Sequence, residues 1–284
     1  MAEIRTVRLP DYSMNCIRFG DGSRTLVILP GLSVGSVLAS ADAIEEAYAS
    51  MTEDYTVFLF DRRNELPPVY PVAEMARDTA SVMRELGISG ADVFGASQGG
   101  MIAMEIALNA SELCRRLALG STAARIGDEE SKRLGKWVEL ARSGDAEGLY
   151  LSFAEAVYPA EVFSAVRDSL QAAAELVTEG DLDRFAVLAE GTRGFDVTDR
   201  LPSVRCPVLL LDSADDRVLG PGAGERIAAL LGDRPDFKRH WYDGYGHAAY
   251  DTAPDYKERL LAFFRQETGG DPVLLRRVRQ TNGD

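Results

Sequence analysis

A serine, a histidine and a group of aspartates stand in this sequence at positions where they could work together. Gly95-Ala96-Ser97-Gln98-Gly99 has an apolar run of strand length before it, Ala91–Phe94, and an apolar stretch at helical length after it, Met101–Asn109. A serine at the tip of a tight strand-to-helix turn adopts strained backbone angles, and only glycine-sized neighbours let strand and helix approach so closely. Its hydroxyl then projects where a base can reach it. The helix that follows directs its free amides and dipole at the same point, which favours negative charge developing there. An alcohol is a poor nucleophile until a neighbour takes its proton, and a neutral imidazole is the commonest such neighbour. The chain has two histidines. His247 ends the glycine-rich stretch Asp243-Gly244-Tyr245-Gly246-His247, just after the last expected strand, whereas His240 lies inside that strand and reads as a strand residue. Open α/β sheets place their sites on loops at the carboxyl ends of strands, so His247 is the candidate base.

The base in turn needs a group that fixes its tautomer and stabilises its cation. Asp212, Asp215 and Asp216 follow the apolar segment Cys206–Leu211. Asp212 reads as a strand-end or turn residue, which leaves Asp216 and its neighbour Asp215 as candidate acids.

These residues need a scaffold, and the first third of the chain supplies one by alternating strand and helix patterns. Expected strands are Ile4–Leu9, Met14–Phe19, Thr25–Leu29, Tyr55–Phe60, Ala91–Phe94 and Leu117–Leu119, with Asp21-Gly22 as a hairpin turn. Helices are expected near Val37–Ala49, from about Ala73 to Leu86 and over Met101–Asn109, and a polar loop from Asp61 to Pro71. From about Ala123 to Arg200 the pattern is helical, with segments near Glu129–Arg142, Ala146–Val157, Ala160–Thr178 and Leu182–Glu190. Strand and helix then alternate again at Pro207–Leu211, Glu225–Leu231, Phe237–Tyr242 and Asp255–Gln266. The fold class is therefore α/β: a mostly parallel, doubly wound central sheet flanked by helices, with an inserted all-helical unit. The expected core is discontinuous, residues 1–122 and 201–284, and the insertion spans 123–200. The tail Thr268–Asp284 is polar and partly basic, and reads as a mobile end or a short packed helix.

With Ser97, the aspartates and His247 in that order on that scaffold, the chain resembles the α/β-hydrolase superfamily. The resemblance covers nearly the whole chain and assigns roles to particular positions. It implies Asp216 as the acid, followed by Arg217-Val218-Leu219; Ser213 stands where the family often has glycine, so a register shifted to Asp215 stays open. It implies an oxyanion hole from the backbone N–H groups of Gln98 and of Leu32, in Pro30-Gly31-Leu32-Ser33, where Pro30 replaces a frequent histidine. It makes the helical insertion a cap over the site. Trp137, Tyr150, Phe153, Tyr158, Phe163, Phe185 and Phe195 would then divide between the cap's own small core and the pocket wall.

The implied activity is hydrolysis of a carboxylic ester or related acyl bond in a small-molecule substrate, with no metal or organic cofactor. Carbon–carbon, amide or lactone hydrolysis and acyl transfer use the same groups, and a ligand receptor of the same fold is the alternative of another class.

Composition narrows the partners. A hydrophobic content of 46% and a charged content of 27% are those of an ordinary globular protein. The net charge of −14 argues against nucleic acids and anionic membranes. No basic segment leads into an apolar run at Met1–Asn15, and no stretch is long and apolar enough to span a bilayer, so the expected location is cytoplasmic. A homo-oligomer is compatible with all of this. Cys16, Cys114 and Cys206 are scattered without metal or redox spacing and read as reduced packing residues. Gly220-Pro221-Gly222-Ala223-Gly224 lacks the lysine of a phosphate loop and reads as a turn and helix start.

Overall fold

The structure, a computed structural model, describes residues 1–232 and 234–266. The Thr268–Asp284 tail lies outside the described residues.

Eight strands form one sheet: β1 (Glu3–Arg8), β2 (Ser13–Phe19), β3 (Arg24–Leu29), β4 (Tyr55–Arg63), β5 (Ala91–Ala96), β6 (Cys114–Gly120), β7 (Val208–Ser213) and β8 (Phe237–Tyr242). Their order is β1-β2-β4-β3-β5-β6-β7-β8. Pairings β1–β2 and β2–β4 are antiparallel, and all the others are parallel. The helices are α1 (Ala41–Ala47), α2 (Val72–Glu85), α3 (Gln98–Asn109), α4 (Asp128–Arg142), α5 (Ala146–Val157), α6 (Ala160–Ala174), α7 (Glu179–Thr192), α8 (Gly222–Leu231), α9 (Ala249–Thr252) and α10 (Tyr256–Phe264).

The strand period of two explains why both faces are covered. Leu26 and Ile28 of β3 join Phe94, Tyr256, Leu260 and Phe264 in one core. Val27 and Leu29, one residue out of phase, join Met75, Met83, Ile102 and Ile227 in the other. Helices α2, α3 and α8 thus cover one face, and α9 and α10 the opposite one. Between β6 and β7 the chain passes through α4–α7, whose buried Leu134, Trp137, Leu149 and Phe185 belong to the same core as α2 and α3.

Four segments differ from the sequence expectation, the first being Asp21-Gly22, which closes no hairpin because β4 lies between β2 and β3. The single helix expected at Val37–Ala49 is two 3₁₀ turns around the short α1, which buries no residue and so has no packed face to extend it. The strand expected to stop at Phe60 continues to Arg63, because β2 goes on pairing with it through Met14. Its added residues Asp61 and Arg62 are buried rather than in a polar loop. The break between α6 and α7 falls earlier than expected. The Thr178 hydroxyl accepts from the Asp181 amide, while the Asp181 carboxylate accepts from the Thr178 amide, and this capping box starts α7 at Glu179.

At the amino end of β5, Asp92 is fully enclosed and gathers the side chains of Arg24 and Arg115, with Arg116 3.8 Å away, and the Tyr55 hydroxyl at 2.7 Å. Arg24 also donates to the carbonyl of Phe264, tying α10 to this cluster. Removing the carboxylate strands a buried Arg116. Asp92→Ala is expected to lower unfolding stability by about 2–4 kcal/mol in urea titrations, less than a fully enclosed pair because Arg24 and Arg115 reach solvent.

Candidate active site

Ser97 sits between β5 and α3 with φ 53° and ψ −121°, a left-handed conformation that costs a non-glycine residue on the order of 1–3 kcal/mol. The neighbours hold it there. Its N–H donates to Gly120 O at 2.9 Å, and the Thr122 hydroxyl donates to Ser97 O at 2.7 Å, so the end of β6 grips the turn from both sides. A Cβ on Gly99 would lie 1.9 Å from Leu29 O, and one on Gly95 would lie 2.3 Å from Gly99 O. The glycines are therefore set by contact between segments, at positions where any side chain would displace the backbone.

His247 is buried in a 3₁₀ turn, Gly246–Ala248, entered through Gly246 at φ 58°. Its Nδ1 lies 2.7 Å from Asp216 Oδ2. The other carboxylate oxygen of Asp216 accepts from the amides of Val218 at 2.7 Å and Leu219 at 3.0 Å. Burial by itself raises the Asp216 pKa, but the His247 charge and hydrogen bond together with the two amides outweigh it and hold the carboxyl below its ordinary value. A carboxylate kept ionised against Nδ1 fixes which ring nitrogen carries a proton and leaves Nε2 for other work.

Asp215, the rival acid, has a different place. It accepts from the Ser213 hydroxyl at 2.9 Å and from the Gly246 amide at 3.1 Å, so it holds the turn that carries His247. Asp212, at the end of β7, is buried and makes no well-formed hydrogen bond; a Cβ on Gly224 would lie 1.9 Å from its Oδ2. Burial, aided by the nearby Asp216 charge, pushes Asp212 up to about 7.

The loop after β3 passes against the serine. A Cβ on Gly31 would be 3.1 Å from Ser97 Cβ and 3.7 Å from its Oγ. Leu32, Ser97, Gln98 and His247 line one narrow cavity of about 30 Å³, closed by Trp137, Phe153 and Thr192 from α4, α5 and α7 and by Tyr250. Among the aromatics singled out in the helical segment, Trp137 and Phe153 reach the cavity, while Phe185 is fully buried against Phe153. Glu130 and Arg133 also line it, and no sequence signal marks them. His240 lies in β8, half-buried and edge-on to Tyr242. Gly222–Gly224 open α8, as expected of that glycine cluster. The three cysteines carry free thiols, with Cys114 and Cys206 Sγ 3.8 Å apart. Among the described residues no helix is long and apolar enough to cross a membrane.

A hydroxyl on a strained turn and an imidazole seated on a carboxylate, both facing one cavity at the carboxyl end of a parallel sheet, are groups suited to hydrolytic chemistry. The chain belongs to the alpha/beta hydrolase family, which it matches over residues 26–257, and this is a family of hydrolase enzymes. It is 26% identical over 222 residues to a protein of Caulobacter vibrioides (strain NA1000 / CB15N) named "Putative carbamate hydrolase RutD", covering 75% of this chain and 82% of that one. Its fold is similar to MGS-M2, an alpha/beta hydrolase enzyme from a Medee basin deep-sea metagenome library, with a TM-score of 0.84, 19% identity, and 95% and 100% of the two chains covered. It is also similar to the enol-lactonase from Burkholderia xenovorans LB400, with a TM-score of 0.78, 18% identity, and coverage of 92% and 100%.

Two measurements follow from this geometry. Asp216→Asn is expected to cut kcat by about 10³–10⁴-fold while leaving the fold intact, whereas Asp215→Asn, which keeps an acceptor oxygen, loses far less; the reverse ranking would contradict the placement of the acid. Asp212 and Asp216 also impose opposite pH dependences on stability. The depressed Asp216 contributes stability above its unfolded pKa, which is lost as pH falls through its folded value. The raised Asp212 costs stability as pH climbs from its unfolded value towards about 7. Thermal melts of Asp212→Asn should therefore gain on wild type between about pH 4 and about pH 8.

Proposed function

We propose that this protein is a serine hydrolase that cleaves a carboxylic ester or related acyl bond of a short acyl group. Ser97 Oγ attacks the carbonyl carbon while His247 Nε2 takes the proton, and Asp216 stabilises the imidazolium that forms. The tetrahedral oxyanion is held by the amides of Leu32 and Gln98. Collapse expels the leaving group, protonated by His247, and water then releases the acyl group by the same steps in reverse.

The observation that carries this reading is the buried His247–Asp216 hydrogen bond facing the same cavity as Ser97. The family match and the relatives named for carbamate and enol-lactone chemistry support the wider class of bond. The narrow cavity beside Ser97, walled by Leu32, Trp137 and Phe153, supports a small acyl or carbamoyl group. In this reading α4–α7 act as a cap, excluding water from the acyl-enzyme and limiting its size.

The test pairs a probe with a substrate panel. A fluorophosphonate should label the wild type and not Ser97→Ala. Hydrolysis of p-nitrophenyl esters should fall as the acyl chain lengthens, with small lactones, amides and carbamates run alongside to rank the bond. No labelling of folded protein, with no turnover of any member, would favour a ligand receptor of the same fold.

A further inference from the structure

Arg62, the penultimate residue of β4, is 3% exposed, and no carboxylate lies within ion-pairing distance of it among the described residues. Its neighbour Asp61 is already engaged: it pairs with Arg184 of α7 at 2.9 Å and accepts from the Ser36 hydroxyl at 2.8 Å. The Arg62 guanidinium is spent instead on neutral oxygens. Nη2 donates to Pro30 O at 2.7 Å and to Gln98 Oε1 at 2.9 Å, and Nε lies 3.3 Å from the same Gln98 oxygen. The Gln98 amide nitrogen then donates to Leu188 O at 2.9 Å and Thr192 Oγ1 at 2.7 Å, both on α7.

Burying a cation costs several kcal/mol, and an apolar side chain would fill the same space at less expense to stability. What only a guanidinium supplies here is a rigid fork between two particular segments. One carries Pro30, two residues before Leu32; the other is Gln98 itself. We propose that Arg62 is the positioning residue of the oxyanion hole, tying the two segments that bear its amides to each other and placing a buried positive charge behind them. This rests on the reading of Leu32 and Gln98 given above.

Its two contributions act on the transition state. A fixed spacing keeps both amides aimed where the carbonyl oxygen becomes an oxyanion, and a buried positive charge favours that oxyanion in a low-dielectric setting. Neither contribution favours the neutral ground state to the same degree. The signature is a loss in kcat with little change in KM.

The test uses Arg62→Met and Arg62→Lys in the full chain, with Gln98→Met as a variant that removes the acceptor while keeping Arg62. For each, kcat and KM are measured on a short activated ester, with melting temperature as the check on folding. Affinities are measured for an alkyl boronic acid, which becomes tetrahedral on the serine, and for a neutral amide of the same shape, which does not. Arg62→Met is expected to lower kcat about a hundred- to a thousandfold and weaken the boronic acid in parallel, with KM and amide affinity nearly unchanged. Arg62→Lys, which keeps the charge and loses the fork, should lie in between, and Gln98→Met should show the same kcat-selective split. Unchanged kcat, or equal weakening of boronic acid and amide, would overturn the proposal and leave Arg62 a structural residue. If Arg62→Met does not fold, Arg62→Lys and Gln98→Met carry the same comparison. Ester hydrolysis that survives in Ser97→Ala would instead overturn the reading of the site, and the role of Arg62 with it.

Discussion

The strained turn at Ser97 is the constraint around which the rest of the molecule is arranged. A residue at φ 53° persists only where its surroundings over-determine it. Here β5 delivers the chain in parallel register with β3 and β6, the Gly120 carbonyl and Thr122 hydroxyl fix both ends of the peptide, and α3 begins at the next residue. Close approach of α3 to the Leu29–Pro30 backbone requires Gly99, and its approach to Thr122 requires Gly100. The same contacts that force the backbone bring the loop after β3 against the serine. Local strain and the proximity of the two loops therefore have one cause.

Charge is distributed with similar economy at the two ends of the sheet. At the amino ends, Asp92 collects arginines and serves the fold. At the carboxyl ends, Asp216 is matched to His247 and Asp61 to Arg184, while Arg62 is left with neutral partners next to the cavity. The overall charge of −14 gives no hint of this local positive charge. Burial sets what each group does: with hydrogen-bond donors around it Asp216 stays below its ordinary pKa, and without them Asp212 rises towards neutrality.

Much of this was legible in the sequence because the signals were local. The serine turn has a five-residue pattern, strand and helix patterns flank it, and two histidines left few choices of base. The choice between Asp215 and Asp216 was not local, since both follow the same strand; it depends on which carboxylate meets an imidazole 31 residues later. Arg62 was hidden for a related reason. In sequence it falls within a polar stretch, and only the continued pairing of β4 with Met14 of β2 draws the end of that strand inward. The cavity wall was out of reach too, because which aromatics of α4–α7 turn to Ser97 depends on how those helices pack, and periodicity alone does not say.

Whether Ser97 carries the acyl group is decided by rapid-quench mass spectrometry of the protein mixed with a short p-nitrophenyl ester, followed by peptide mapping. An acyl group is expected on the peptide carrying Ser97, formed as fast as the nitrophenol burst and depleted in Asp216→Asn. Steady turnover with no covalent adduct, or an adduct on another residue that forms and decays at the catalytic rate, would contradict Ser97 as the nucleophile.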